Sequence, residues 1–422
     1  MFPKIWTRII LFFIAFVTIE AKVNAQQSNL KVLFLGNSYT QYNNLPLLLS
    51  NIALSNGDTV QTDANTPGGH TFMGHSTNSV SLGKINSQKW DYVVLQEQSQ
   101  LPSFPETDVQ EMVFPYARAL DSLIKANNTC IKTVFYMTWG RKNGDAQNCP
   151  TWPPVCTYAG MDSLLALRYR KMADDNQALL SPAGAVWKYL RANNPSIELY
   201  NPDESHPSLA GSYAAACTFY TILLKKDPTL ITYNGGLPTN QASAIKEAAK
   251  VIVYQKLSDW NVGEFGPKAS FKHQTSDPKT IQFQNTSTNA DGYLWEFGDG
   301  DTSTQFEPLH TYKTNGNFRV NLIANRCNET DTTWSEVSIN TTGINHLSSQ
   351  KVQVFPNPAN GFIQLEIPEN MIGLEYQLID IYGKKLLIGS LQNSQTQISL
   401  ETLPAGIYSL QLGRVCQKFV KQ

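Results

Sequence analysis

The sequence carries almost no net charge. Its 33 Lys and Arg face 34 Asp and Glu over 422 residues, so no broad field draws it to nucleic acid or to an anionic membrane. It contains no CxxC pair and no CxxH spacing, which removes the usual structural zinc sets. Neither a phosphate-cradling P-loop nor a dinucleotide fingerprint occurs, so nothing points to nucleotide chemistry or to another cofactor. After the N-terminus no apolar run nears the roughly 20 residues that span a bilayer. Low-complexity tracts and long charge runs are missing too, and helix-period patterning stops after Gly263.

What is present begins with Lys4 and Arg8, the apolar run Ile9 to Ile19, and Val23-Asn24-Ala25. That order of basic, greasy and small residues predicts a secretory signal peptide over 1–25, cut after Ala25. Export permits disulfides. Of the six cysteines, Cys149 and Cys156 flank the Pro-rich loop CPTWPPVC, where a bridge would close a short irregular loop. The pairing of the others is not legible.

A chain of this length predicts two to four domains. From Leu30 to about Leu257, short apolar runs alternate with longer amphipathic ones. Val32–Leu35, Tyr92–Leu95 and Thr133–Met137 read as buried parallel strands; Leu45–Ser55, Val109–Ala126, Tyr158–Leu180 and Leu209–Lys225 read as helices. The expectation is an α/β domain with a parallel sheet covered on both faces. Beyond Gly263, short alternating strands punctuated by Gly, Asn, Thr and Ser predict two all-β sandwich modules that divide near residues 340–347.

The run KVLFLGNSYT sets Ser38 on the turn after the first strand, where an open parallel sheet places its ligands. Far downstream, NPDESHP supplies Asp203, Glu204 and His206. A serine hydroxyl becomes a nucleophile when an imidazole takes its proton and a carboxylate orients that imidazole. Asp203 is the expected orienting group, with Glu204 as its competitor. Pro207 is expected in the first turn of the next helix.

These residues resemble the SGNH (GDSL-like) hydrolases. Gly36-Asn37-Ser38 matches the first block of that family, and Asp203 with His206 matches its D-x-x-H block. The resemblance spans roughly Leu30 to Leu257 and implies a flavodoxin-like three-layer α/β/α domain over 26–262. It further implies an oxyanion hole built from the backbone N–H of Ser38 and of Gly69, preferred over Gly68 in Pro67-Gly68-Gly69-His70. The family's third-block asparagine is missing from WDYVVLQEQSQ. Gln98 is the expected substitute donor; Gln96 sits nearer the strand body and is expected to turn inward. His70 and His75 lack an acidic partner that would complete a metal site. Trp139, Arg141 and Tyr158, with Trp152 nearby, are candidate substrate contacts.

Trp295-Glu296-Phe297-Gly298-Asp299-Gly300, followed by Pro308-Leu309-His310-Thr311-Tyr312, resembles a PKD repeat over 266–341. Asp299 and Asp301 are expected to serve its turn rather than to hold calcium. Val354 to Ala359, Leu378 to Gly383 and Leu403 to Tyr408 resemble the three blocks of a type IX secretion C-terminal sorting domain over 347–422. Together the resemblances imply a secreted or surface-attached serine esterase. Its partners would be acylated carbohydrate, from which it removes acetyl groups, or another small ester substrate, and the type IX secretion machinery. Two rival readings remain: a glycan-binding adhesin that lost activity with the asparagine, and an acyltransferase using the same acyl-enzyme.

Overall fold

The computed structural model describes residues 27–340, 352–413 and 415–422. The expected signal peptide at 1–25 lies outside them, as does the expected module boundary near 340–347 apart from residue 340 itself.

The α/β domain opens with β1 (Asn29–Leu35), α1 (Ser38–Gln41), α2 (Leu45–Leu54) and β2 (Thr59–Asn65). Next come α3 (Phe72–Thr77), α4 (Ser79–Asn86), β3 (Tyr92–Leu95), α5 (Glu106–Met112), α6 (Phe114–Asn127) and β4 (Lys132–Tyr136). It is completed by α7 (Tyr158–Asp175), β5 (Leu179–Ser181), α8 (Ala183–Asn193), α9 (Leu209–Leu224) and α10 (Thr239–Ile252). The five strands pair in parallel in the order β2-β1-β3-β4-β5. The strand order reverses between β1 and β3, so a crevice opens beyond their carboxyl ends.

Alternate strand residues feed two cores. Val32, Phe34, Val94, Val134 and Tyr136 pack with α2, α8, α9 and α10. Leu33, Leu35, Val93, Leu95 and Phe135 pack with the helices of the opposite face. A strand buried on both sides must be apolar at every position, which is why β1 and β3 read as continuous runs.

Several elements differ from the reading of the sequence. The helix expected over Val109–Ala126 is two helices, because Pro115 begins a new one where its missing N–H does no harm. The helix expected to run from Tyr158 to Leu180 ends at Asp175; Gln177 turns left-handed (φ 48°) and Leu179–Ser181 becomes the fifth strand. β2 (TVQTDAN) was hidden by its polar composition, which its place at the sheet edge permits.

Residues 271–339 form two antiparallel sheets of three and four strands, with Phe283, Trp295 and Phe297 buried. The C-terminal residues form another three-stranded and four-stranded pair around Ile363, Leu365, Leu378, Leu410 and Phe419. The chain divides into two compact units, one of residues up to 275 with 281–310 and 318–337, the other of 276–280, 311–317 and the residues from 338 onward.

Among the described residues two disulfides are present. Cys149–Cys156 closes the Pro-rich loop. Cys130–Cys327 joins the loop before β4 to a turn of the middle module, where Cys327 and Asn328 both take positive φ. Glu329 beside that turn accepts from Lys132 and lies 3.4 Å from Lys225.

Candidate active site

The turn after β1 is specified residue by residue. A side chain at Gly36 would meet Thr40 Oγ1 at 2.5 Å and Gln96 Oε1 at 2.8 Å, so the close approach needs glycine. Asn37 caps α1: its Oδ1 accepts the Tyr39 N–H at 3.1 Å, and its Nδ2 donates to the His70 carbonyl at 3.0 Å. Its own N–H donates to Gln96 Oε1 at 3.0 Å. Ser38 is therefore the first residue of a one-turn helix at the crevice between β1 and β3, and it is half-buried.

The loop before α9 brings the imidazole to it. His206 Nε2 lies 2.9 Å from Ser38 Oγ, and His206 Nδ1 lies 2.5 Å from Asp203 Oδ2. Asp203 Oδ1 accepts the backbone N–H of Ser205 at 3.0 Å and of His206 at 2.9 Å. Burial opposes the Asp203 charge, but the His206 bond and the two N–H groups outweigh it and hold the carboxyl below its usual value. Glu204 instead turns outward at φ 60° and accepts from Asn143 Nδ2 at 2.8 Å. Pro207 lies ahead of the helix rather than in its first turn; Ser208 is the N-cap and α9 starts at Leu209.

Aromatic residues not singled out in the sequence brace this loop. The Tyr39 and Ser205 hydroxyls share a hydrogen bond of 2.6 Å. The exposed Tyr42 stacks on His206, with ring centroids 4.4 Å apart and planes 20° apart. Asn43, left-handed at φ 54°, donates to the Pro207 carbonyl at 3.1 Å and so ties the two loops together.

Of the three candidate substrate contacts, Trp139 needs correction. Trp139 is fully buried, stacked between Tyr39 (5.1 Å) and Trp187 (3.6 Å), so no sugar reaches its faces. Its Nε1 donates to the Ser205 carbonyl at 3.1 Å, which makes it a prop for the His206 loop. The Tyr158 ring lies beneath the Arg191 guanidinium at 3.9 Å. Arg141 is engaged with Asp145 at 3.0 Å.

The oxyanion candidates lie around the same turn. Gly69 (φ 67°) belongs to the Pro67–His70 turn that Asn37 grips through the His70 carbonyl. Gln96 is fully buried, with Oε1 taken by Asn37 and Thr40 and Nε2 bonded to the Glu97 carbonyl, so it faces inward. Gln98 is half-buried in the loop after β3. Glu97 beside it is fully buried and accepts the N–H groups of Phe72 (3.1 Å) and Gln98 (2.6 Å). His75 is engaged by the Gly36 carbonyl at 2.9 Å and by Ser81 at 2.7 Å, and its ring meets His70 edge-on at 4.5 Å. Among the described residues, the group with ligand atoms close enough to share a cation is Asp299, Asp301 and His310 in the middle module, where Asp299 and His310 bond each other at 2.9 Å.

Comparison with known proteins assigns the two β modules. Residues 264–341 match the PKD domain family, and residues 353–422 match the secretion system C-terminal sorting domain family. These two segments are a PKD domain and a sorting domain. The sorting domain indicates type IX secretion, to the cell surface or the medium. A pre-pro-metalloprotease PrtV of Vibrio cholerae is 31% identical over 111 residues, 25% of this chain. The chain spans about an eighth of the length of that relative, 12%. The α/β domain is similar to solved structures. One is a DUF4886 family protein from Bacteroides uniformis, 19% identical over 55% of this chain and 95% of that one, with a TM-score of 0.47. Another is a Slackia heliotrinireducens protein assigned as an SGNH hydrolase, 26% identical over 46% of this chain and 99% of that one, with a TM-score of 0.38. No helix among the described residues is long and apolar enough to cross a membrane.

Proposed function

We propose that this chain is an exported serine esterase acting on acylated carbohydrate. What supports the reading is the continuous hydrogen-bonded line from Ser38 Oγ through His206 to Asp203. In the reaction, Ser38 Oγ attacks the ester carbonyl while His206 Nε2 takes its proton. Asp203 holds the imidazole so that Nε2 faces the serine, and it stabilises the imidazolium. The backbone N–H groups of Ser38 and Gly69 and the Gln98 amide receive the oxyanion. His206 returns the proton to the departing alcohol, and water then releases the acyl group by the same steps in reverse roles. Beside His206 lie the exposed Tyr42 ring and the Glu204–Asn143 pair, aromatic and polar surroundings that suit a hydroxylated substrate better than a long acyl chain.

The decisive experiment is labelling with a fluorophosphonate probe, together with acetate release from acetylated polysaccharides. The wild-type chain should be labelled at Ser38. Ser38→Ala should lose labelling and lower ester turnover by roughly 10³–10⁶. An unlabelled wild-type chain with no turnover would sink the esterase reading in favour of the adhesin.

A further inference from the structure

The loop after β3 and the loop at 145–156, part of which the Cys149–Cys156 disulfide closes, share a line of hydrogen bonds that the chemistry above does not by itself demand. Gln98 Oε1 accepts the backbone N–H of Gln100 at 2.7 Å and of Leu101 at 3.1 Å. Gln98 Nε2 donates to Gln100 Oε1 at 3.1 Å. Gln100 Nε2 then donates to Asp145 Oδ2 at 2.7 Å. A backbone N–H can only donate and a carboxylate can only accept, so the direction of the line is fixed from both ends. Flipping either amide would set donor against donor and acceptor against acceptor.

The far end is firmly anchored. Asp145 is fully buried and also receives Arg141 Nη1 at 3.0 Å, Asn148 Nδ2 at 2.6 Å and the Gln147 N–H at 3.2 Å. Burial opposes its charge, but the bonds from Asn148 and Gln100 and the Arg141 charge outweigh it and keep the carboxyl below its usual value. Its backbone is tied into the Cys149–Cys156 loop through the Val155 carbonyl and the Cys149 N–H.

We propose that Asp145 and Gln100 are positioning residues that fix the Gln98 amide so that its second N–H is free for the oxyanion formed at Ser38. This rests on the esterase reading above. Glutamine has one more rotatable bond than asparagine, and a floppy donor would lose entropy each time charge developed. The relay removes that freedom before the substrate arrives. The loop that carries Gln98 lies against the nucleophile's turn, since the Glu97 carbonyl just before it is 3.5 Å from Nδ2 of Asn37, the residue before Ser38.

The test is a double-mutant cycle on the full chain, reading kcat and KM with one acetylated substrate. Gln98→Ala should lower kcat by about 10²–10³ with KM little changed. Gln100→Leu should lower kcat by about tenfold, also at constant KM, and should add less than about twofold in the Gln98→Ala background. A structural role of Gln100 would give the same loss in both backgrounds, which would overturn the relay. So would wild-type kcat in Gln100→Leu. Should that variant melt early, Gln100→Met keeps the length of the side chain but cannot donate to Asp145, and it completes the same cycle. A wild-type kcat in Gln98→Ala would remove the oxyanion role and the relay with it. Absence of probe labelling in the wild type would instead remove the esterase reading itself.

Discussion

Glu97 shows how one buried group beside the site ties stability to pH. Burial pushes its carboxyl up to about 8, against the opposing pull of the Gln98 and Phe72 N–H groups. The unfolded chain ionises this group near the ordinary value of about 4.3. Between those values the folded chain holds a proton that the unfolded chain has released. The contribution is therefore fully present below about pH 4.3 and is lost as pH rises to about 8. His75 acts in the other direction at the acid side, since burial lowers it to about 4 and the unfolded chain protonates first. Glu97→Gln should flatten the decline of Tm from pH 5 to 8.5 relative to wild type, with the His75 contribution common to both chains. Parallel Tm curves would show that Glu97 does not titrate in that window.

At the scale of elements, the His206 loop depends on an aromatic column rather than on helix α9 alone. Tyr39, Trp139 and Trp187 stack in sequence, and Trp139 ends that support with its bond to the Ser205 carbonyl. Trp139→Phe keeps a ring in the stack but removes the bond. It should lower kcat by up to about tenfold with KM near wild type. A sugar-stacking residue would do the opposite and raise KM, so the kinetic split decides between the two roles. Trp139→Ala should destabilise the domain by about 3–5 kcal/mol, measurable by urea unfolding. The aromatic richness of the segment was plain in the sequence, but its direction was not. A tryptophan in a loop reads the same whether it faces a ligand or a core.

At the scale of the whole molecule, the PKD domain is cross-linked to the α/β domain at the amino-terminal end of the sheet, opposite Ser38. The Cys130–Cys327 bridge closes a sequence separation of 197 residues. Glu329 adds an ion-pair cluster with Lys132 and Lys225 beside it. Replacing both cysteines by serine should lower stability by about 2–5 kcal/mol. Calorimetry should then show separate transitions for the two domains. Ester turnover should stay at the wild-type level, because the joint lies at the far end of every strand from the nucleophile. A single unchanged transition would mean that the bridge adds nothing to the cooperativity of the pair.

The sequence by itself determined the classes of element and the local chemistry. Continuous apolar runs dictated the two-sided burial of β1 and β3, and the change of pattern after Gly263 marked the β modules. Gly36-Asn37-Ser38 and the Asp203-to-His206 spacing are each short enough for the local chemistry to be read directly, whereas the N–H groups of Ser205 and His206 that Asp203 accepts came from the structure. Only the tertiary structure decided the contacts between residues distant in the chain. It turned Glu204 toward Asn143, gave Gln96 its partners Asn37 and Thr40, sank Trp139 into a column and joined Cys130 to Cys327. The relay from Asp145 to Gln98 belongs to the same class, since it spans two loops brought together only when β3 and β4 pair. Periodicity reports which face of an element is buried; which partner buries it is settled by the packing of the whole domain.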